Sequence, residues 1–150
     1  SPFAEPSRSR DRTRVESSHA FWYEIARNIH LAGRGELWFA RFNHETCVME
    51  PLLRMIAYAT SARCRWVSRA LATTVESIEQ LPAAIRARLA ALCRPYNPRT
   101  LWETMHGAME WFAALADQTG LADDANYPSG AQHRLPRFAQ TVGESRSDPR

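Results

Sequence analysis

The sequence predicts an all-α fold, a helical bundle of five to seven helices with loose N- and C-terminal tails. Three observations carry this. Apolar side chains recur at helical spacing in successive blocks, helix start and stop signals separate the blocks, and no stretch alternates apolar and polar residues as a half-buried strand would. With 150 residues, 45% of them apolar and 23% charged, the chain has the balance of a globular domain. A chain of this size buries about 70% of its unfolded surface, enough for one core.

Residues 1–16 are rich in Ser, Arg and Pro, with Phe3, Ala4 and Val15 as their only apolar side chains, and predict a linker or flexible arm. The folded domain is expected over 17–142. Ser17 or Ser18 is placed to cap a first helix whose apolar positions are Phe21, Trp22, Ile25, Ile29 and Leu31, and which should end near Gly33. Gly33-Arg34-Gly35 reads as a break or a kink, after which Leu37, Trp38, Ala40, Arg41 and Phe42 carry a second helix to about Glu45. Pro51 suits a first helical turn, where its missing N–H has no partner to lose. It leads Leu52, Leu53, Met55, Ile56 and Ala59 to about Ala62.

A weaker stripe follows in Trp66, Val67, Ala70, Leu71, Thr74, Val75 and Ile78, diluted by threonines that lose side-chain freedom in a helix. Pro82 opens a short helix carrying Ile85, Leu89 and Leu92. The clearest element starts at Asn97-Pro98, a cap followed by a proline at the first helical position, and stops at Gly120. Its face of Leu101, Met105, Ala108, Met109, Phe112, Leu115 and Ala116 makes it the expected central helix. A last helix is expected from about Gln132 to Val142 with Pro136 inside it, before a polar, disordered tail at 143–150.

Composition removes several function classes. All 19 basic residues are arginine, and 16 acids leave a net charge of only +3. Arg8, Arg10, Arg12 and Arg14 are interrupted by Asp11 and Glu16 and lack interleaved aromatic residues, so no nucleic-acid partner is expected. Cys47, Cys64 and Cys93 are odd in number and form no C-x-x-C pair, which suggests neither disulfides nor zinc and fits a reducing, cytoplasmic setting. No apolar run approaches the about 18 residues that would span a membrane. Ser1-Pro2 without an initiator Met points to a fragment or a processed chain.

Catalytic signatures are weak. No Ser or Cys sits in a nucleophile turn, and Cys93 on an apolar helix reads as a small core residue. Glu16-x-x-His19 and Glu103-x-x-His106 each have the spacing of half a di-metal carboxylate site, but the two further glutamates cannot be identified, and surface or capping roles are the ordinary reading. His30, His44 and His133 make no metal spacing with one another.

One set of blocks carries more. Phe21-Trp22, Arg34-x-Glu36 with Phe39-Ala40, Leu52 to Ile56 as Leu-Leu-Arg-Met-Ile, Trp102-Glu103 and Tyr127-Pro128 stand in an order and spacing that resemble the C-terminal helical half of the streptomycin (aminoglycoside 6-) adenylyltransferase family. The resemblance covers about residues 18–142. It implies an all-α, substrate-binding domain that packs against an N-terminal nucleotidyltransferase domain, missing here, and forms one wall of the site for a cationic aminoglycoside. The family transfers AMP from ATP to an aminoglycoside hydroxyl. A Gly-Lys segment with a further lysine is typical of the family, and the corresponding stretch around Leu71 to Val75 has no lysine. The Gly-Ser turn and paired Asp residues that hold magnesium belong to the missing domain. ATP and Mg²⁺ are therefore implied for the full-length family member alone, and this chain by itself is expected to bind no cofactor, to hold no metal, to supply no catalytic residue and to be inactive.

The residues that the resemblance offers for substrate binding are Glu36, Glu103, Trp22, Trp38, Trp102 and Arg34. Glu36 leads because it matches the family position and would face a polycation; its alternative role is a surface ion pair with Arg34 or Arg41. The three tryptophans suit stacking on a sugar or guanidinium, or core packing. Glu24 lies on a favourable helix without matching the family motif. The alternative function is a non-catalytic helical protein-interaction module or degenerate stand-alone relative, and a homodimer is a further expected arrangement. Streptomycin binding separates the two readings.

Overall fold

The computed structural model of the chain describes residues 7–60, 81–93 and 97–147. Within them run α1 (Ser7–Gly33), α2 (Leu37–Asn43), a π-helical turn (His44–Val48), α3 (Met49–Ala59), α4 (Ala83–Ala91), α5 (Pro98–Gln118), a 3₁₀ turn (Leu121–Asp123) and α6 (Ser129–Ser147). The described residues contain no strand, so the protein is all-α, as its periodicity predicts.

α1 begins well before the expected start. Its first turns, placed in the arm at 1–16, are helical from Ser7, and the Arg12–Glu16 pair at 3.0 Å spans one turn of that extension. Extending an existing helix adds a hydrogen bond per residue without a new nucleus, which composition does not register. Ser18 consequently caps nothing. It is buried inside α1, and its hydroxyl donates to the Val15 carbonyl at 2.6 Å.

Gly33-Arg34-Gly35 is a turn rather than a kink. Gly35 sits at φ 79°, a left-handed conformation that glycine adopts without strain, and α2 folds back on α1. Asn43 ties the two together by donating to the Glu24 carbonyl and to Asn28 Oδ1, both at 3.3 Å. The second and third expected helices are one continuous path, because the π turn joins α2 to α3 where a stop was expected near Glu45. Pro51 lies in the third position of α3, just after this wider turn, which accommodates the ladder bond that proline cannot make. The stripe predicted at 66–78 lies outside the described residues.

α5 follows its signals closely. The Asn97 side chain accepts from the Thr100 backbone N–H at 2.9 Å while the Thr100 hydroxyl accepts from the Asn97 N–H at 3.2 Å, and Gly120 at φ 74° ends the helix. α3 and α6 pack against α5, and α1 packs against α2, α3 and α6. At the centre Phe21 stacks on Phe112 with centroids 4.0 Å apart, and Trp22 meets both rings edge-on. Such aromatic pairs add about 0.5–1.5 kcal/mol each beyond their burial. The Trp22 indole N–H donates to the Tyr127 hydroxyl at 3.1 Å, which in turn donates to Gln132 Oε1, so the loop before α6 is fastened to α1.

α6 is longer than predicted, opening at Ser129 and continuing through the expected tail to Ser147. One glycine governs its seating. A Cβ on Gly33 would lie 2.7 Å from Val142 Cγ1, so α1 approaches α6 closely there because there is no side chain in the way. A Cβ on Gly143 would make an ordinary contact of 3.5 Å with the Trp102 indole.

Candidate site in the α5–α6 groove

The substituents on one side of α5 recur every three or four residues: Glu103, His106, Gly107 and Glu110 form a stripe, with Trp102 beside it. Opposite them α6 presents small or polar residues, Ala139, Gln140, Gly143 and Glu144. The Trp102 indole faces Gly143 across an open groove of about 970 Å³.

Its charge is acidic. Glu103, Glu110 and Glu144 stand against a single arginine, Arg99, which pairs with Glu103 at 3.1 Å. Glu144 accepts from the Gln140 amide at 3.0 Å. His106 is half-buried, and desolvation pushes its pKa below the ordinary 6.5, so at pH 7 the imidazole is neutral and keeps one nitrogen as an acceptor. Three carboxylates, a neutral imidazole and an indole are a chemistry suited to ammonium or guanidinium groups on a ring.

Of the residues singled out in the sequence, Trp102 and Glu103 come together here. The others do not. Trp22 is 2% exposed and belongs to the core. Glu36 pairs with Arg34 at 3.0 Å on the turn before α2, while Arg41 pairs with Glu45 at 3.1 Å. Trp38 projects from α2 at 71% exposure, beside Phe39 and Phe42. Glu110 and Glu144 were not legible as site residues. Glu110 continues the Glu103 stripe and could have been found by helical spacing; Glu144 arrives from a different helix, which spacing within one element cannot reveal. His106 is marked in the sequence only by its spacing to Glu103.

The two Glu-x-x-His pairs do not converge on a metal. Glu16 is held by Arg12, His19 Nε2 lies 2.7 Å from the Asn126 carbonyl, and Glu103 is held by Arg99. Among the described residues no group of three or more His, Cys, Asp or Glu side chains could hold a metal ion, so the donor set does not fit Mg²⁺. Cys93, expected in the core, is exposed just beyond the end of α4, although partial desolvation of its thiol, helped by the Glu45 charge, raises its pKa. No described helix is long and apolar enough to cross a membrane.

Compared with protein families, residues 6–142 match the one described as Streptomycin adenylyltransferase. No curated protein and no solved structure matches the chain.

Proposed function

This chain belongs to the streptomycin adenylyltransferase family, and on that premise we propose that its helical fold, Ser7 to Ser147, is the C-terminal, substrate-binding domain, which presents a cationic aminoglycoside to a nucleotidyltransferase domain outside this fold. ATP and Mg²⁺ are assigned to that other domain, as the family resemblance implies. The observation that carries the reading is the acidic, aromatic α5–α6 groove. Its volume of about 970 Å³ suits a molecule of several rings, and its three glutamates attract a polycation over a Debye length of about 8 Å at physiological salt.

The test is calorimetric titration of the chain with streptomycin. Saturable binding is expected, weakening as salt is raised. Glu103→Gln and Glu144→Gln should each weaken it about threefold to fivefold, on the order of 1 kcal/mol for a partly exposed charge contact. Glu36→Gln serves as the comparison: if it alone weakens binding, the site lies at the α1–α2 turn and the groove assignment is wrong.

A second reading draws on α2. Trp38, Phe39 and Phe42 are 71%, 62% and 63% exposed on one short helix, and clustered exposed aromatic residues mark interaction surfaces. On this reading the chain is a helical interaction module with no need to recognise an aminoglycoside. Absence of any streptomycin binding would favour it.

A further inference from the structure

α2 and the π turn that continues it are divided by side. Ala40, Asn43 and His44 are buried, while Trp38, Phe39, Phe42, Glu45 and Thr46 are exposed and recur at helical spacing as one outward stripe. An ion pair stands at each end of the stripe, Arg34 with Glu36 at 3.0 Å before α2 and Arg41 with Glu45 at 3.1 Å near its close. The rim is therefore electrically neutral around an aromatic middle. A neutral rim gives no long-range attraction to a strongly charged partner, whereas aromatic residues and arginine without lysine are the composition of interface centres.

The area decides what size of partner fits. Trp and Phe side chains bury about 150–250 Å² each, so the exposed parts of Trp38, Phe39 and Phe42 leave about 300–500 Å² of aromatic surface on one chain. That matches the largest patch an ordinary monomer shows. Two such faces laid together, with their charged rims, bury about 1,200 Å², the lower limit of a specific interface.

We propose that this face is the twofold interface of a homodimer, in which α2 crosses α2 of a second copy antiparallel, about an axis level with Ala40. In that register Trp38 lies against Phe42 of the second copy, Arg41 reaches over the ring of Phe39 of the second copy, and Glu45 stands beside its Arg34. Symmetry makes each contact twice. A parallel crossing would instead set Arg41 against Arg41 and Glu45 against Glu45, like charges directly opposed, so the charge pattern selects the antiparallel one. The dimer extends the interaction-surface reading of α2 to one partner and depends on no residue of the α5–α6 groove, which lies on other helices.

The test is sedimentation equilibrium of the whole chain from micromolar to millimolar concentration. A reversible monomer–dimer equilibrium with a micromolar dissociation constant is expected for an interface of this size. Phe42→Ala should weaken it by about a hundredfold, because a central aromatic contact is lost twice. Glu45→Arg and Arg34→Glu should each weaken it by about tenfold by setting like charges across the axis, and the two together should regain most of that loss. The regain reads the register, since a broken Arg41–Glu45 pair within one chain is not repaired by Arg34→Glu. Glu103→Gln should leave the dimer intact, and Phe42→Ala should leave streptomycin titrations as in the parent, so the dimer and the groove assignment fail separately. A chain that stays monomeric throughout, a dimer indifferent to Phe42→Ala, or a double charge variant no better than its singles overturns the twofold interface.

Discussion

Two aromatic dipeptides of the same composition meet opposite fates in this protein. Phe21-Trp22 is sealed in the core at 0% and 2% exposure, whereas Trp38-Phe39 stands out at 71% and 62%. The difference lies in what each finds across the helix interface. Phe21 stacks on Phe112, and the polar tip of Trp22 finds the Tyr127 hydroxyl. On α2 the inward face is filled by Ala40 and Asn43, continued by His44, so the larger residues are turned outward. An aromatic pair therefore predicts a surface worth covering, and only the partner elements decide whether the covering is internal.

The largest test of this contrast is Trp22→Ala. Removing an indole from a close-packed core costs about 3–5 kcal/mol, and the urea midpoint should fall accordingly. An equal loss for Trp38→Ala would erase the distinction between the two pairs. Next comes Gly33→Ala, which places a methyl 2.7 Å from Val142 Cγ1 and should cost about 1–3 kcal/mol through overpacking where α1 meets α6. Val142→Ala in the same chain should recover most of that loss if the clash is its cause.

Smaller again is Tyr127→Phe, which leaves the buried Trp22 N–H without its acceptor and should cost about 1–2 kcal/mol by denaturation. In a Trp22→Phe background, where there is no indole donor, the same substitution should cost less. The shortfall measures the coupling between α1 and the loop ahead of α6.

How far these features were legible differs by region. Asn97-Pro98 and Gly120 announced α5 because caps and left-handed turns depend on single residues acting locally. The start of α1 at Ser7 and the run of α6 to Ser147 were hidden, since polar residues extend a helix once a neighbouring apolar segment has anchored it. The buried side of α2 was not legible for a related reason: Trp38 and Phe42 have helical spacing, but spacing gives a face, and not which side the protein occupies. The groove was half-legible. Trp102 and Glu103 are adjacent on one helix, while Glu144 joins them only through the packing of α6 beside α5.

The inward side of α2 carries its own pH signature. His44, in the π turn, is buried near the Leu92 backbone with no hydrogen bond to either ring nitrogen. Burial lowers its pKa below 6.5, and the Leu92 backbone and the nearby Glu45 charge offset part of that effect. The folded state therefore prefers the neutral ring and binds fewer protons than the unfolded chain. Stability from this site is fully present above pH 6.5 and is lost as pH falls from there toward the lowered folded value. Urea midpoints collected from pH 8 to pH 5 should decline over that window, and His44→Leu should flatten the decline.

The smallest stability effect belongs to the outward side. Trp38→Ala, Phe39→Ala and Phe42→Ala each remove a side chain that is mostly in water already, so each should move folding by no more than about 0.5 kcal/mol. Their weight should appear in association instead. If the three residues form a docking face, the triple Ala variant should lose no more than about 1.5 kcal/mol of folding stability, the sum of the three, and should lose any concentration-dependent self-association seen by sedimentation. Should the triple variant unfold markedly more easily, these side chains would be holding α2 against α1, and the division between an inward face that stabilises and an outward face that recognises would fail. A parent that stays monomeric at all concentrations would instead confine the face to a different protein or domain, since self-pairing would then have no part in keeping Trp38, Phe39 and Phe42 exposed.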